Sequence, residues 1–437
     1  MRSALALSAA ALCLLGAAGA QTYAVTNARV LMTGSADDPR SIRSATVLIE
    51  DGRIAGLGAD IQVPATATVI DAQGGVVTPG MFAALSGLGL EEVSLNGEAN
   101  DRYADENTGL SASYDAADGF YADSTAIAVS RNRGITRAFV APDPGTELFG
   151  GCGMVVRLSA DEGAAIGDAA ITERCIAQHV ALGYAGARRE GDSRLGAMAA
   201  LRLALDDARR YQQDAGGYVQ GSDEGSLSAR DAAALVPVLT GEQKLLAEVQ
   251  GAGDILRLLD IAEAYGLDLV IAGGHEAWRV ADRLVAADVP VILDPMQNLP
   301  DRFETFGATL EGAARLEAAG VTVAFYDNDI GYTHNIRLLP QLAGNAVRGG
   351  MSYAGALSAI TVNPAVIWGV EGVGLVSEGG AADVVVWDGD PLELTSRPIA
   401  VFIDGELMDG QDRQRALAER YRDLSRAERP IAYRGAR

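Results

Sequence analysis

Imidazoles and amines are scarce in this chain, and that scarcity limits its chemistry before any fold is considered. Three histidines (His179, His275 and His334) and a single lysine, Lys244, stand among 437 residues. A site that needs four imidazole ligands, or a lysine ahead of position 244, cannot be assembled from them. Of the three cysteines, Cys13 lies in an apolar leader, which leaves Cys152 and Cys175. In an oxidising compartment such a pair can bridge, and two separate buried thiols are the other reading. Nothing in the sequence places a base beside either sulfur, which argues against a cysteine nucleophile.

Composition narrows the field further. Asp and Glu number 58 against 35 Lys and Arg, a formal net charge of −23. That balance argues against nucleic acid as a partner, because affinity there rests on neutralising phosphates, and against docking on anionic lipid. Hydrophobic residues make up 49% of the chain, enough for a sizeable core. Residues 1–20 read as a cleavable signal peptide: Arg2, then an apolar run from Ala4 to Gly16, then Ala18-Gly19-Ala20 ahead of Gln21. The expected location is therefore periplasmic or secreted, with a mature chain from Gln21. No later run is long and apolar enough to predict a membrane span.

The elements that must position the scarce residues come in two kinds. Residues 21–78 read as short strands with turn signals. Ala45 to Glu50 is a β-branched run, Asp51-Gly52 a hairpin signal, and Arg53 to Gly58 its return strand. Similar strands recur at Ala382–Gly389 and Ile399–Gly405, so residues 371–408 are expected to complete one β-domain with the N-terminal segment. Between them, short apolar strands alternate with amphipathic helices: Leu245–Val249, Leu269–Ala272, Val289–Leu293 and Val321–Tyr326 against Asp254–Tyr265, His275–Ala287, Leu310–Ala319 and Ile336–Gly349. This is the pattern of βαβ units, and its spacing predicts a TIM-like (β/α)8 barrel over 79–370. Gly150-Gly151-Cys152-Gly153 follows no strand in a nucleotide-binding context and reads as a turn. His179 reads as helical and structural, His334 as a loop residue, residues 101–115 as an acidic loop near the barrel mouth, and 409–437 as a charged helical tail.

Several stretches carry a resemblance. Asn27-Ala28-Arg29-Val30, Leu48 to Ile54, Val69 to Gly74, Val77-Thr78-Pro79-Gly80-Met81, Thr361 to Ala365 and Gly379 to Pro391 resemble the metal-dependent amidohydrolase superfamily, in particular its imidazolonepropionase-like secreted branch. The resemblance implies a barrel with a composite β-sandwich built from both termini, and hydrolysis of non-peptide C–N bonds in amides, ureas or cyclic imides. It also implies a binuclear metal centre held by His-x-His on strand 1, a carboxylated Lys on strand 4, single His on strands 5 and 6, and Asp on strand 8. Such ions acidify a bound water.

In this chain the strand-1 motif falls on Leu85-Ser86-Gly87, no lysine precedes Lys244, and the strand-5 position falls on Glu248. His275 on strand 6 and Asp327 on strand 8 match, with Asp329 a rival to Asp327. Three readings follow. The first is a catalytically impaired pseudoenzyme with a small-molecule ligand in the barrel mouth and no cofactor. The second is an active hydrolase with a rebuilt site on Glu248, His275 and Asp327, either metal-free or holding one divalent ion such as zinc. The third is an interaction scaffold, a homo-oligomer or a partner of a related amidohydrolase. His334 and Asp329 are further candidates for loop contacts with substrate.

Overall fold

The computed structural model describes residues 21–32, 40–93, 96–103, 111–159, 168–220, 226–300, 302–327 and 332–422. The expected signal peptide, Asp329, and residues 423–437 of the expected tail lie outside the described residues. Within the tail, a helix at Arg413–Arg422 buries none of its residues.

Among the described residues, two eight-stranded sheets organise the chain. The first draws on both ends: β1 (Tyr23–Met32), β2 (Arg40–Glu50), β3 (Arg53–Gly58), β4 (Thr68–Asp71) and β5 (Val76–Pro79) join β14 (Val384–Trp387), β15 (Pro398–Ile403) and β16 (Glu406–Leu407). Its order is β16-β15-β14-β5-β1-β2-β3, with β4 pairing β1. The β2–β3 hairpin turns where Asp51-Gly52 is expected to turn it. Both residues take positive φ, 49° and 77°, as the turn that matches strand twist requires. Apolar residues on one face of this sheet, among them Val25, Val30, Val47, Ile49, Val384 and Phe402, form its own core.

The second sheet is a nearly closed barrel. Its strands are β6 (Met81–Ser86), β7 (Ile135–Val140), β8 (Phe149–Arg157), β9 (Ile171–Ala181), β10 (Lys244–Val249), β11 (Leu269–Gly273), β12 (Val291–Leu293) and β13 (Val323–Phe325), hydrogen-bonded in that order. Ala359 and Ile360 accept backbone hydrogen bonds from Phe325 and Phe82, linking the last strand towards the first. Seven strands run parallel, and β8 runs antiparallel to both β7 and β9. The fold is therefore a TIM-like barrel with a second sheet domain, as the βα alternation implies, with one reversed strand that the alternation does not show.

Two groups of apolar residues separate the barrel's faces. Leu245, Ala247, Val249, Ile271 and Phe325 pack outward against the helices, and Phe82, Leu246, Val270, Ala272 and Ala324 point inward. The helix Ala252–Tyr265 shows why the outer layer forms. Ile255, Leu258, Leu259 and Ala262 repeat at helical spacing and are buried, and Gly266 ends the helix at φ 71°.

Candidate active site at the barrel mouth

Parallel strands bring their C-terminal ends to one rim, so each candidate is placed by its register. On β10, Glu248 pairs with Ala272 of β11 and Ala181 of β9, and Ala272 belongs to the interior cluster. Glu248 therefore faces inward at the rim and lines a cavity with Asp143, Tyr184, Arg188, Arg189 and Arg302. Burial pushes its carboxyl above the usual glutamate range. Asp143 pushes the same way, while Arg189, Arg302 and Arg102 pull back.

His275 follows β11 and is buried. It does not start a helix: Gly273 and Gly274 take φ of 85° and 55° just before it, and the chain enters a 3-10 turn at Ala277–Val280 and then a helix at Ala281–Ala286. The periodicity of residues 275–287 suits either form, and the two left-handed glycines delay the helix. Glu276 beside it ties the loops together, accepting from Gly307 N at 2.6 Å and Ala252 N at 3.2 Å. Asp327 follows β13 and is buried. His334 lies in a short helix, Tyr332–Asn335, rather than a loop, and is exposed. Its neighbour Thr333 is buried and donates to Glu91 at 3.0 Å, which also receives Arg102 at 2.8 Å.

His179 is where sequence reasoning failed most clearly. It sits on strand β9, not on a helix, and pairs with Leu246, an interior residue. It therefore faces the barrel interior two residue pairs below Glu248. Its Nδ1 lies 2.7 Å from the Pro142 carbonyl, which can only accept, so Nδ1 carries the proton. Nε2 is buried with no hydrogen-bond partner among the described residues. Burial holds the imidazole below its usual pKa, and the nearby Arg189 and Arg102 add to this against Asp143.

The glycine run at 150–153 is likewise strand rather than turn. Gly153 lies so close to β7 that a Cβ would sit 2.4 Å from Phe139 Cζ. The β8–β9 hairpin is bridged by Cys152 and Cys175, Cα atoms 4.9 Å apart. In the acidic stretch, Asp115 and Asp118 pair with Arg174 of β9, and residues 104–110 lie outside the described residues.

A metal centre can be tested against these positions. The β6–β7 pairing shifts register between Ala83 and Ser86, which puts Ser86 beside outward-facing Val140 and Leu85 in the interior cluster. Leu85 and Gly87 carry no donor atom. Lys244 sits at the opposite end of β10 from the rim, with its ammonium on Asp268. Among the described residues, the one group of three ligand-type side chains gathered within 4.8 Å is Asp115, Cys152 and Cys175, whose sulfurs are bonded to each other. Glu248, His275 and Asp327 do not gather in this way. The residues at these positions do not fit a binuclear centre.

A nearly closed barrel with a second sheet domain made from both chain ends defines the class of TIM-like barrels that carry an extra domain. The model of the amidohydrolase family matches residues 243–408. "Amidohydrolase tasK" of Hapsidospora irregularis is 25% identical over 391 residues, which cover 82% of this chain and 39% of that protein. The chain thus spans about two-fifths of the length of that relative. A solved amidohydrolase from Thermotoga maritima is 26% identical with a TM-score of 0.77, over 88% of this chain and 99% of that one. Molinate hydrolase, at 18% identity and a TM-score of 0.55 over 90% of this chain and 95% of that one, shares the fold. The family model, the curated relative and the solved structure all support an amidohydrolase superfamily protein. Among the described residues no helix is long and apolar enough to cross a membrane.

Proposed function

We propose that this protein is an exported member of the superfamily that binds a small molecule at the barrel mouth and has lost metal-dependent hydrolysis. One observation carries the reading: the interior positions where the first pair of metal ligands would stand are apolar. Leu85 packs in a cluster with Phe82, Ala84, Phe139 and Trp368, and the rings of Phe139 and Trp368 stack with centroids 3.7 Å apart. A filled apolar floor cannot hold a divalent ion, which needs nitrogen or oxygen donors. The chemistry given up in this reading is attack of water on C–N bonds of amides, ureas or cyclic imides. Export is supported by the leader-like residues 1–20 and by the Cys152–Cys175 bridge, a pairing that oxidising compartments permit.

Elemental analysis of the purified mature protein, run beside a hydrolysis screen of amides, ureas and cyclic imides, tests this. The expected result is substoichiometric metal and no turnover. Two stoichiometric metals with turnover would return the protein to the ordinary hydrolases.

A second reading has one observation in its favour. Glu248 carries a carboxyl whose pKa is raised by burial at the edge of a cavity, the setting of a general acid. An active hydrolase would use it together with His275 and Asp327. In that case Glu248→Gln abolishes turnover of a substrate found in the screen; in the binding reading there is no turnover to lose.

A further inference from the structure

In a chain with net charge −23, a cavity bordered by three arginines runs against the composition. That cavity, of about 490 Å³, opens at the barrel mouth between Arg188, Arg189 and Arg302, with Asp143 and Glu248 on its wall. Its size falls within the range of small-molecule sites. Each arginine is placed by a different device. Arg189 has its Nε on the Gly145 carbonyl at 2.8 Å and an Nη 3.9 Å from Asp143. Arg302 lies over the Tyr184 ring at 5.3 Å. Arg188 ends a short helix, Gly183–Ala187, and is exposed. Neither Arg188 nor Arg302 makes an ion pair with a described residue. Two guanidiniums with open donor edges therefore face the same opening as a third that is held in place.

The chemistry of the lining selects among anions. A guanidinium presents paired N–H groups that match the two oxygens of a carboxylate. A phosphate dianion would bring twice the charge beside Asp143 and Glu248, and like charges at such distances repel. The acceptors in the wall and below it need donors in return. Glu248 is one, and His179 Nε2 is another: it is buried, lacks a partner among the described residues, and lies two residue pairs deeper on the neighbouring strand. A molecule that satisfies both halves has an anionic end and a hydrogen-bond-donating body.

We propose that the cavity binds a small organic acid, with its carboxylate on Arg188, Arg189 and Arg302 and an N–H or O–H of its body on Glu248 and, deeper, on His179 Nε2. This names the ligand class of the site and rests on the binding reading above.

The test is calorimetry and thermal shift on the full mature chain near neutral pH. The probes are N-acetylglycine and 4-oxopentanoate, its monoanionic counterpart with CH2 in place of N–H, with N-acetylglycinamide as the uncharged counterpart and inorganic phosphate as the rival anion. The expected result is that N-acetylglycine binds and the uncharged amide binds about tenfold more weakly or worse, the loss of one charge-assisted hydrogen-bonded pair. Arg302→Gln and Arg188→Gln, both at exposed positions, should each weaken N-acetylglycine by a similar factor without lowering the melting temperature of the free protein. His179→Phe should weaken N-acetylglycine but spare 4-oxopentanoate, which has no N–H.

Equal binding of the acid and its amide, phosphate binding more tightly than either acid, unchanged affinity in both arginine variants, or no binding at millimolar concentration would each overturn the proposal. Proton NMR on the same samples separates this outcome from the fate of the reading beneath it. If N-acetylglycine binds and is cleaved to acetate and glycine, the ligand class stands and the non-catalytic reading falls. If nothing binds and no metal is found, the ligand class falls and the loss of hydrolysis stands.

Discussion

Arg137 joins the two sheets, and its removal should be among the costlier single changes in the molecule. It sits on β7 at the end of the barrel away from the mouth. Its Nε donates to Asp383 at 2.6 Å and its Nη2 to Asp404 at 2.6 Å, both carboxylates belonging to the second sheet domain. Arg137 and Asp383 are buried, at 7% and 2% side-chain exposure, and Asp404 is about a third exposed. Asp404 has Arg157 at 3.1 Å as a second cation, so the Arg137–Asp404 contact contributes little by itself.

The large term is Asp383. In an Arg137→Met variant its charge would keep, among the described residues, only the Asp404 backbone N–H as a partner. Breaking a buried pair by deleting one member costs about 3–5 kcal/mol. Burial already holds the Asp383 carboxyl above the usual aspartate range, with Arg137 pulling it back, so the variant raises it further.

A carboxyl raised in the folded state loses stability as pH climbs from its unfolded pKa to its folded one. The deficit should therefore be full at neutral pH and shrink in acid. Urea unfolding of Arg137→Met, Asp383→Asn and the double variant at both pH values measures it. The double variant should lose less than the sum of the singles. A loss in Arg137→Met below about 1 kcal/mol at neutral pH, a value typical of exposed pairs, would refute the argument.

Three further outcomes are expected. Cys152 and Cys175 enclose a separation of 23 residues, and the chain-entropy relation assigns such a bridge about 3 kcal/mol; reduction, or a double change to alanine, should lower stability by that order in urea titration. Glu248→Gln should stabilise the protein at neutral and mildly alkaline pH, because the raised folded pKa penalises the ionised form there. The gain should vanish in acid below the ordinary glutamate range, where both states are protonated; a pH series of melting temperatures shows whether it does. Gly153→Ala should cost about 1–3 kcal/mol, since the new methyl would lie 2.4 Å from Phe139 Cζ and 2.8 Å from the Val140 carbonyl; equal unfolding midpoints would mean that β7 and β8 are not so tightly apposed.

Local chemistry alone determined much of this protein. The Asp51-Gly52 turn is dictated by residues that tolerate positive φ, and the strands around it by β-branched runs. From residue 245 onward the alternation of apolar strands and amphipathic helices is legible because each element carries its own period. The missing metal donors at Leu85 and Gly87 and the single lysine are also facts of composition that no fold can repair.

Tertiary structure decided the rest. The hairpin of β8 and β9 was hidden because Gly150, Gly151 and Gly153 read as turn residues, and only their apposition to the loop at Pro142–Pro144, to Tyr114 and to β7 explains why glycine stands there. His179 changed from a helical residue to an interior one because inward or outward direction on a strand is set by register with its neighbours, and one residue of shift reverses it. Arg188, Arg189, Arg302, Asp143 and Glu248 are scattered over 160 positions and share no local period. They meet because closing a barrel carries the C-terminal ends of strands far apart in sequence to a single rim, and no property of any one segment encodes that meeting.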